Sequence, residues 1–295
     1  MRYSVMNQHN QQISRINDVL YHIHRDISNE LPVRALAAIA AYSEQHFHRV
    51  FKTVVGEPVH HYIRRTRLEF AANQLMFDTS ATVLDVATRC GFSSVSSFSR
   101  AFKATFDSSP GQWRVLDKQH NDQAQEHKVS NYYQELSHLD LPKCEIKELP
   151  PRHVAYIRHQ GYNRSIATAW QTLQAWASAQ NLDFTQQFGL HHSNPAWVAL
   201  DKCRYVACIG IDNPITRRGI VNSMTIPGGL HAVFKLTGKY GELLPQLSHI
   251  LANWLPTSGF KMQSTPAYVH YQKNQFLSAD EQFELAFCLP IALFN

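Results

Sequence analysis

At 295 residues the chain is long enough for two packed domains, and 44% hydrophobic residues supply their cores. The net charge of +5 is unevenly placed: residues 1–114 carry 13 Lys and Arg against 9 Asp and Glu, and residues 115–295 carry 15 against 14. No apolar run approaches the ~18 residues of a membrane helix, and no basic-then-apolar leader opens the chain. The five cysteines, Cys90, Cys144, Cys203, Cys208 and Cys288, are scattered and form no CxxC pair, which argues against a zinc site or a disulfide framework. The expectation is a cytoplasmic protein with reduced core cysteines, no metal, no cofactor and no membrane partner.

After ten polar residues, Ile13, Ile16, Leu20, Ile23 and Ile27 step by three and four, which predicts an amphipathic support helix. Pro32 opens an alanine-rich helix over 33–40, whose small side chains let another helix cross closely. Ser43 caps the next helix and Gly56 ends it. Its inward face is Phe47, Val50, Phe51 and Val54; Gln45, His46, His48, Arg49 and Lys52 face outward. His46 and His48 do not share a helix face, so they are a poor metal pair. A long helix follows over 59–77, with Arg64, Arg65 and Arg67 as either phosphate contacts or a solvated face.

Thr82 and Asp85 read as a capping box, Gly91 as a left-handed turn, and Ser93 or Ser94 as the cap of a further helix. Phe98, Ala101, Phe102 and Thr105 fall on its inward face. Val95, Ser96, Ser97, Ser99, Arg100 and Lys103 are left outside, a set suited to a DNA groove: Arg reads guanine, Ser contacts phosphate and Val touches a thymine methyl. Ser109 and Pro110 start one more helix. The pattern is duplicated. Ser43, Phe47, Arg49, Phe51 and Lys52 recur 51 residues later as Ser94, Phe98, Arg100, Phe102 and Lys103.

G-F-x(5)-F-x-R-x-F-K followed by S-P-x-x-W-R resembles the signature of the AraC/XylS family of transcription regulators, over roughly residues 10–115. The resemblance implies two recognition helices held apart by a stiff linking helix, so that they enter successive major grooves about 34 Å apart. It assigns DNA contact to Gln45, His46, His48, Arg49, Lys52, Ser96, Ser97, Ser99, Arg100 and Lys103.

Residues 117–142 are polar, rich in Gln and Asn and without periodicity, as expected of a linker, with Tyr132 and Tyr133 near its end. Beyond Cys144 the period shifts to two. Seven strands are predicted, interrupted by helices over 165–180 and 240–255. A second repeat appears: His153 to Trp176 and His231 to Trp254 each span 23 residues of strand, Gly-Tyr or Gly-x-Tyr, and helix. Two such modules predict an α+β domain with a pseudo-twofold cleft. H-V-A-Y-I-R-H-Q-G-Y, K-C-R-Y-V-A-C-I-G, I-P-G-G-L-H-A-V and F-E-L-A-F-C-L-P-I, in that order, resemble the GyrI-like effector-binding domain over about 144–294. The resulting reading is multidomain: an all-α double helix-turn-helix domain over 8–116, a linker over 117–142, and an α+β GyrI-like domain over 143–295.

In the last strand Phe283, Leu285, Phe287 and Leu289 take one face, and Glu284, Ala286 and Cys288 the other. The resemblance implies that Glu284 reads a lipophilic cation; the sequence pattern offers Tyr156, Trp197, Tyr205, Tyr268 and Tyr271 as aromatic walls, with core packing as their other reading. A second glutamate often found in the fifth strand is here Val269, which shifts the expectation toward a neutral ligand. The implied function is a DNA-binding regulator sensing a small lipophilic or cationic effector, with double-stranded DNA and RNA polymerase as partners. The alternatives are that the second half is a hydrolase using Glu284 as general base, or a protein-interaction module without ligand.

Overall fold

The computed structural model describes residues 2–78, 80–119, 140–194, 197–215, 219–263 and 265–293. Most of the expected linker, with Tyr132 and Tyr133, lies outside the described residues. The first half is helical: α1 (Arg2–Arg25), α2 (Val33–Ile39), α3 (Glu44–Val55), α4 (Val59–Phe77), α5 (Val83–Arg89), α6 (Val95–Phe106) and α7 (Pro110–Gln119).

The duplicated sequence becomes duplicated structure. Ser43 accepts from the His46 amide and Ser94 from the Ser97 amide, so α3 and α6 start alike. Gly56 and Asp107 end them in the left-handed region, each with its N–H on the carbonyl of the conserved-spacing lysine, Lys52 or Lys103. Thr82 and Asp85 form the expected capping box on α5. Phe47, Val50 and Phe51 pack with α1 and α2, while Phe98, Ala101 and Phe102 pack with α4 and α5. Two positions depart from the expected α6 faces. Thr105 is exposed, and Phe106 turns inward instead against Trp113, 4.9 Å between ring centroids. Val95 is half-buried against the same core rather than free. The larger Phe106 ring buries more apolar surface than a threonine would.

The tight turns differ in an instructive way. The second turn uses Gly91 at φ +72°; the first uses Ala41 at φ +55°. Left-handed backbone costs a residue with a Cβ about 1–2 kcal/mol, less the extra entropy glycine loses on folding. Arg15 Nη1 donates to the Ala41 carbonyl at 3.2 Å and its guanidinium lies 5.0 Å from the Tyr42 ring centre, which holds the turn. Ala41→Gly is expected to stabilise the chain by about 0.5–1 kcal/mol, read as a rise in urea midpoint; an unchanged midpoint would mean that this turn carries no strain.

The second half contains β1 (Cys144–Leu149), β2 (Arg152–Gln160), α8 (Ile166–Ala179), β3 (Gln187–His191), β4 (Arg204–Gly210), β5 (Asn222–Ile226), β6 (Gly229–Lys239), α9 (Leu243–His249), β7 (Phe260–Met262), β8 (Tyr268–Lys273) and β9 (Gln282–Leu293). The sheet order is β1-β6-β9-β8-β3-β4-β2-β5, with β7 added to β9 and every pairing antiparallel. The order is symmetric about the β8/β3 seam: β6 answers β2, β9 answers β4, and β1 answers β5. The two modules therefore join edge to edge in one sheet. In place of an open cleft, the helix side of the seam is packed with aromatic rings. Trp170 donates to the Tyr205 hydroxyl at 3.2 Å, Tyr205 and Tyr271 hydroxyls lie 3.2 Å apart, and Phe276 sits 5.9 Å from the Tyr205 ring.

All seven predicted strands form. The two extra ones are short: β3 carries Gly189 at its centre and β7 has three residues, so neither shows an alternating run. Gly189 is required there, because a Cβ would stand 2.4 Å from the Tyr205 hydroxyl. The second helix is shorter than predicted. Asn253 donates its side-chain amide to the His249 carbonyl at 3.1 Å, and the chain passes through a π turn at Ile250–Trp254 and a 3-10 turn at Leu255–Thr257. All five cysteines are free, and burial pushes the thiols of Cys90 and Cys203 up to about 12 and Cys288 to about 11, which keeps them protonated.

Candidate nucleic-acid interface

The outward face of α3 presents Gln45, His48, Arg49 and Lys52 exposed and His46 half-buried. His46 is tethered, with its ring 4.6 Å from Tyr42 and its Nδ1 3.3 Å from Arg49 Nη2. On α6, Ser96, Arg100 and Lys103 are exposed and Ser97 and Ser99 half-exposed. Arg100 Nε donates to the Ser96 carbonyl at 3.3 Å, and the Ser97 hydroxyl to the Ser94 carbonyl at 2.9 Å. Both arginines thus lie along their own helices, at equivalent places in the repeat, and among the described residues neither is paired with a carboxylate. Each serine cap takes up a first-turn amide, while Phe47 and Phe51, or Phe98 and Phe102, anchor the back of the helix.

The arginine run on α4 divides by role. Arg64 is exposed. Arg65 is paired with Glu57, 2.9 Å away, and with Glu69 one helical turn on. Arg67 is a structural clamp: it donates to the carbonyls of Ile27 at 3.0 Å, Gly91 at 2.8 Å and Asn29 at 2.8 Å. Arg65 and Arg67 therefore turn all three guanidinium nitrogens to partners within the fold rather than standing as a free basic face.

The two halves are docked through polar pairs that no local sequence pattern announces. Arg204 of β4 reaches Glu57 at 2.9 Å, just past the end of α3. Tyr62 lies between two guanidiniums, Arg204 at 4.7 Å and Arg65 at 5.0 Å from its ring centre. Ser193 donates to Glu69 at 3.2 Å, and Asn194 to Asn73 at 3.1 Å. On the other side α1 runs against the second half's sheet. The Asn17 carbonyl accepts from the Tyr156 hydroxyl at 3.3 Å, the Ser14 carbonyl from Asn222 at 2.9 Å, and Tyr21 joins the core on the sheet face opposite α8 and α9.

The six residues expected to form an effector pocket are not brought together. Glu284 is exposed, opposite Thr237 and beside Lys273 in the strand register. Tyr156 and Tyr268 share its sheet face, but Tyr268 pairs with Cys288, four residues from Glu284 and so about 13 Å along the strand. Tyr205 and Tyr271 are buried on the helix-facing side. Trp197 packs against Trp113 and Phe77 of the helical half, at 5.8 and 6.2 Å between ring centroids. Val269 is buried opposite Gly189 on the helix-facing side, where a carboxylate would lack room and solvent. The alternation of faces in β9 was legible from its period; which aromatic shares which face across five strands depends on register, which the period does not specify.

Two helix-turn-helix units with matched caps and outward basic side chains, set beside a two-module antiparallel sheet, define a DNA-binding transcription regulator. A helix-turn-helix domain model matches residues 36–115, and the model of the GyrI-like small molecule binding domain matches residues 142–292. The chain belongs to the GyrI-like family and carries an AraC-type helix-turn-helix domain ahead of that domain. Helix α1 lies outside both matches. Over 111 residues the chain is 37% identical to the HTH-type transcriptional activator AarP of Providencia stuartii, covering 38% of this chain and 82% of that one. It is 35% identical, also over 111 residues, to the uncharacterised HTH-type transcriptional regulator YbfP of Bacillus subtilis strain 168, where the match spans 38% of this chain and 36% of the relative's length. The crystal structure of the EcmrR C-terminal domain aligns at 12% identity and a TM-score of 0.42, covering 52% of this chain and all of that one.

Proposed function

We propose that the chain binds a specific DNA site with both α3 and α6 as reading heads, and that its GyrI-like half senses a small molecule and biases that binding. The observation that carries the reading is the equivalence of Arg49 and Arg100. Each is exposed, unpaired with any carboxylate among the described residues, and set two positions after the inward phenylalanine of a helix with the same serine cap. The 19 residues of α4 between the two units make a rod of about 28 Å, long enough to hold two heads apart. RNA polymerase contact and a cytoplasmic location belong to the same reading; among the described residues no helix is long and apolar enough to cross a membrane.

The GyrI-like half is taken here as a binding module rather than a hydrolase. Its expected general base, Glu284, stands exposed and without an aromatic enclosure.

The test is a DNA selection followed by affinity measurement on the site obtained. Arg49→Ala and Arg100→Ala are each expected to weaken the selected site by about 1–3 kcal/mol, and each to relax sequence preference in a different half of the site. Loss confined to one of the two variants would leave a single reading head. Unchanged affinity in both would remove the assignment of α3 and α6.

A further inference from the structure

A cavity of about 140 Å³ lies between the two halves. Its wall from the helical half is His24 of α1 and Ile27 just past its end, with Thr66, Phe70 and Asn73 of α4. The facing wall is apolar where Leu247, Leu251, Phe287 and Leu289 meet, and polar where the chain leaves β3 at His191, His192 and Ser193. The neighbouring loop adds Pro266 and Ala267 at the entrance of β8.

We propose that this interdomain cavity is the effector site, and that it takes an uncharged single-ring aromatic molecule bearing one hydroxyl group. The proposal rests on the reading that the GyrI-like half senses a small molecule. Size is the first argument: an apolar cavity of about 150 Å³ holds one benzene ring. Polarity is the second. His191 and His192 line this end of the cavity, and among the described residues their buried Nε2 atoms find no hydrogen-bond partner, so a small shift of either ring offers a ligand an unused polar atom. His191 is anchored through Nδ1, 3.1 Å from the Tyr162 hydroxyl, and His24 through Nε2, 2.6 Å from the Tyr62 hydroxyl. Charge is the third. Burial first, and then the positive charges of Arg158 and Arg204, disfavour a protonated ring at His192 and His24, and the same environment disfavours a cation beside them. Among the described residues no carboxylate lines the cavity.

Because α1 and α4 form one wall and the sheet domain the other, the ligand binds the docked arrangement of the halves better than any other. Such differential affinity is what a ligand needs to shift a conformational equilibrium. The same coupling works in reverse, so operator DNA changes ligand affinity by the factor by which ligand changes DNA affinity.

The experiment is calorimetric titration of the full chain with p-cresol, toluene and benzylammonium, with and without the selected DNA site. p-Cresol is expected to bind saturably and at least tenfold tighter than either analogue, with an affinity that changes when DNA is present. Ala267→Phe and Ser248→Phe each fill the cavity from a different element and are expected to abolish p-cresol binding, while Glu284→Gln retains it. Retained DNA binding shows that each variant is folded. Equal or tighter binding of benzylammonium, no saturable p-cresol binding by the wild type, or p-cresol binding that survives both filling variants overturns the proposal. A loss seen only in Glu284→Gln overturns it too, while leaving the sensor reading intact with its site on the other sheet face. DNA binding without any p-cresol response leaves the regulator standing and this cavity unassigned to it.

Discussion

Replacing Arg67 by alanine is expected to destabilise the helical half by about 3 kcal/mol, because three backbone carbonyls lose a charged donor together. The carbonyls belong to different places: Ile27 and Asn29 follow α1, and Gly91 is the turn of the second helix-turn-helix unit. One guanidinium therefore ties the support helix, the linking helix α4 and the α5–α6 turn. Arg67→Lys is expected to recover less than half, since an ammonium cannot present a planar fork to three separated acceptors. Gly91 explains why the clamp fits. A Cβ there would lie 2.8 Å from Arg67 Cζ, 2.8 Å from Arg67 Nη2 and 2.8 Å from the Ser28 carbonyl, on a backbone at φ +72°. Gly56, at φ +87°, has nothing within 4 Å of such a Cβ. Gly56→Ala should cost only the left-handed backbone, about 1 kcal/mol, whereas Gly91→Ala should cost that and the displaced clamp. Urea unfolding followed by helical circular dichroism measures all four variants. An Arg67→Ala loss below about 0.5 kcal/mol, the range of ordinary surface substitutions, would mean that the clamp is dispensable.

The second large effect is with acid. His24 and His192 face each other at 4.2 Å between ring centroids in the contact between the halves, with His191 adjacent. Burial, first of all, holds each imidazole below its ordinary range, and for His191 brings it down to about 4. His24 feels in addition His192, Arg158, Arg204 and Arg65; His192 feels Arg158, Arg204 and His191. The sign follows from which state binds the proton. Above pH 6.5 the imidazoles are neutral folded and unfolded, and their packing contributes fully. Below it the unfolded chain takes up protons that the folded chain refuses, so stability falls as pH drops from 6.5 toward the depressed folded values. At pH 5 the loss from His191 alone is about 2 kcal/mol, a unit and a half at 1.36 kcal/mol each. His24 and His192 add in the same direction. The urea midpoint is therefore expected to fall steeply between pH 7 and pH 5, and His191→Gln to flatten part of that slope. A midpoint constant over this range would mean that the three rings are reached by water in the folded chain.

Where local chemistry decides, the sequence determined this protein closely. Serine caps, the Thr82–Asp85 box, Gly56 and Gly91 are signals that act within four residues, and each appears where its own residue types require it. The duplicated helix-turn-helix, all seven predicted strands and the alternating faces of β9 follow from the same short-range periods of 3.6 and 2. Tertiary structure decided what depends on register and on contact between distant segments. Arg65 and Arg67 read as a basic face by spacing, yet Glu57, Glu69 and three remote carbonyls claim their donors. Tyr156, Tyr205, Tyr268 and Tyr271 read as one aromatic set, yet odd and even positions of paired strands send them to opposite sides of the sheet. The docking of Arg204 on Glu57, and the cavity walled jointly by His24 and His192, join residues 147 and 168 positions apart. Sequence periodicity speaks for one element at a time. The partner that an element's charged or aromatic side chain meets is chosen by how whole elements pack, and that choice placed the contact between the two halves.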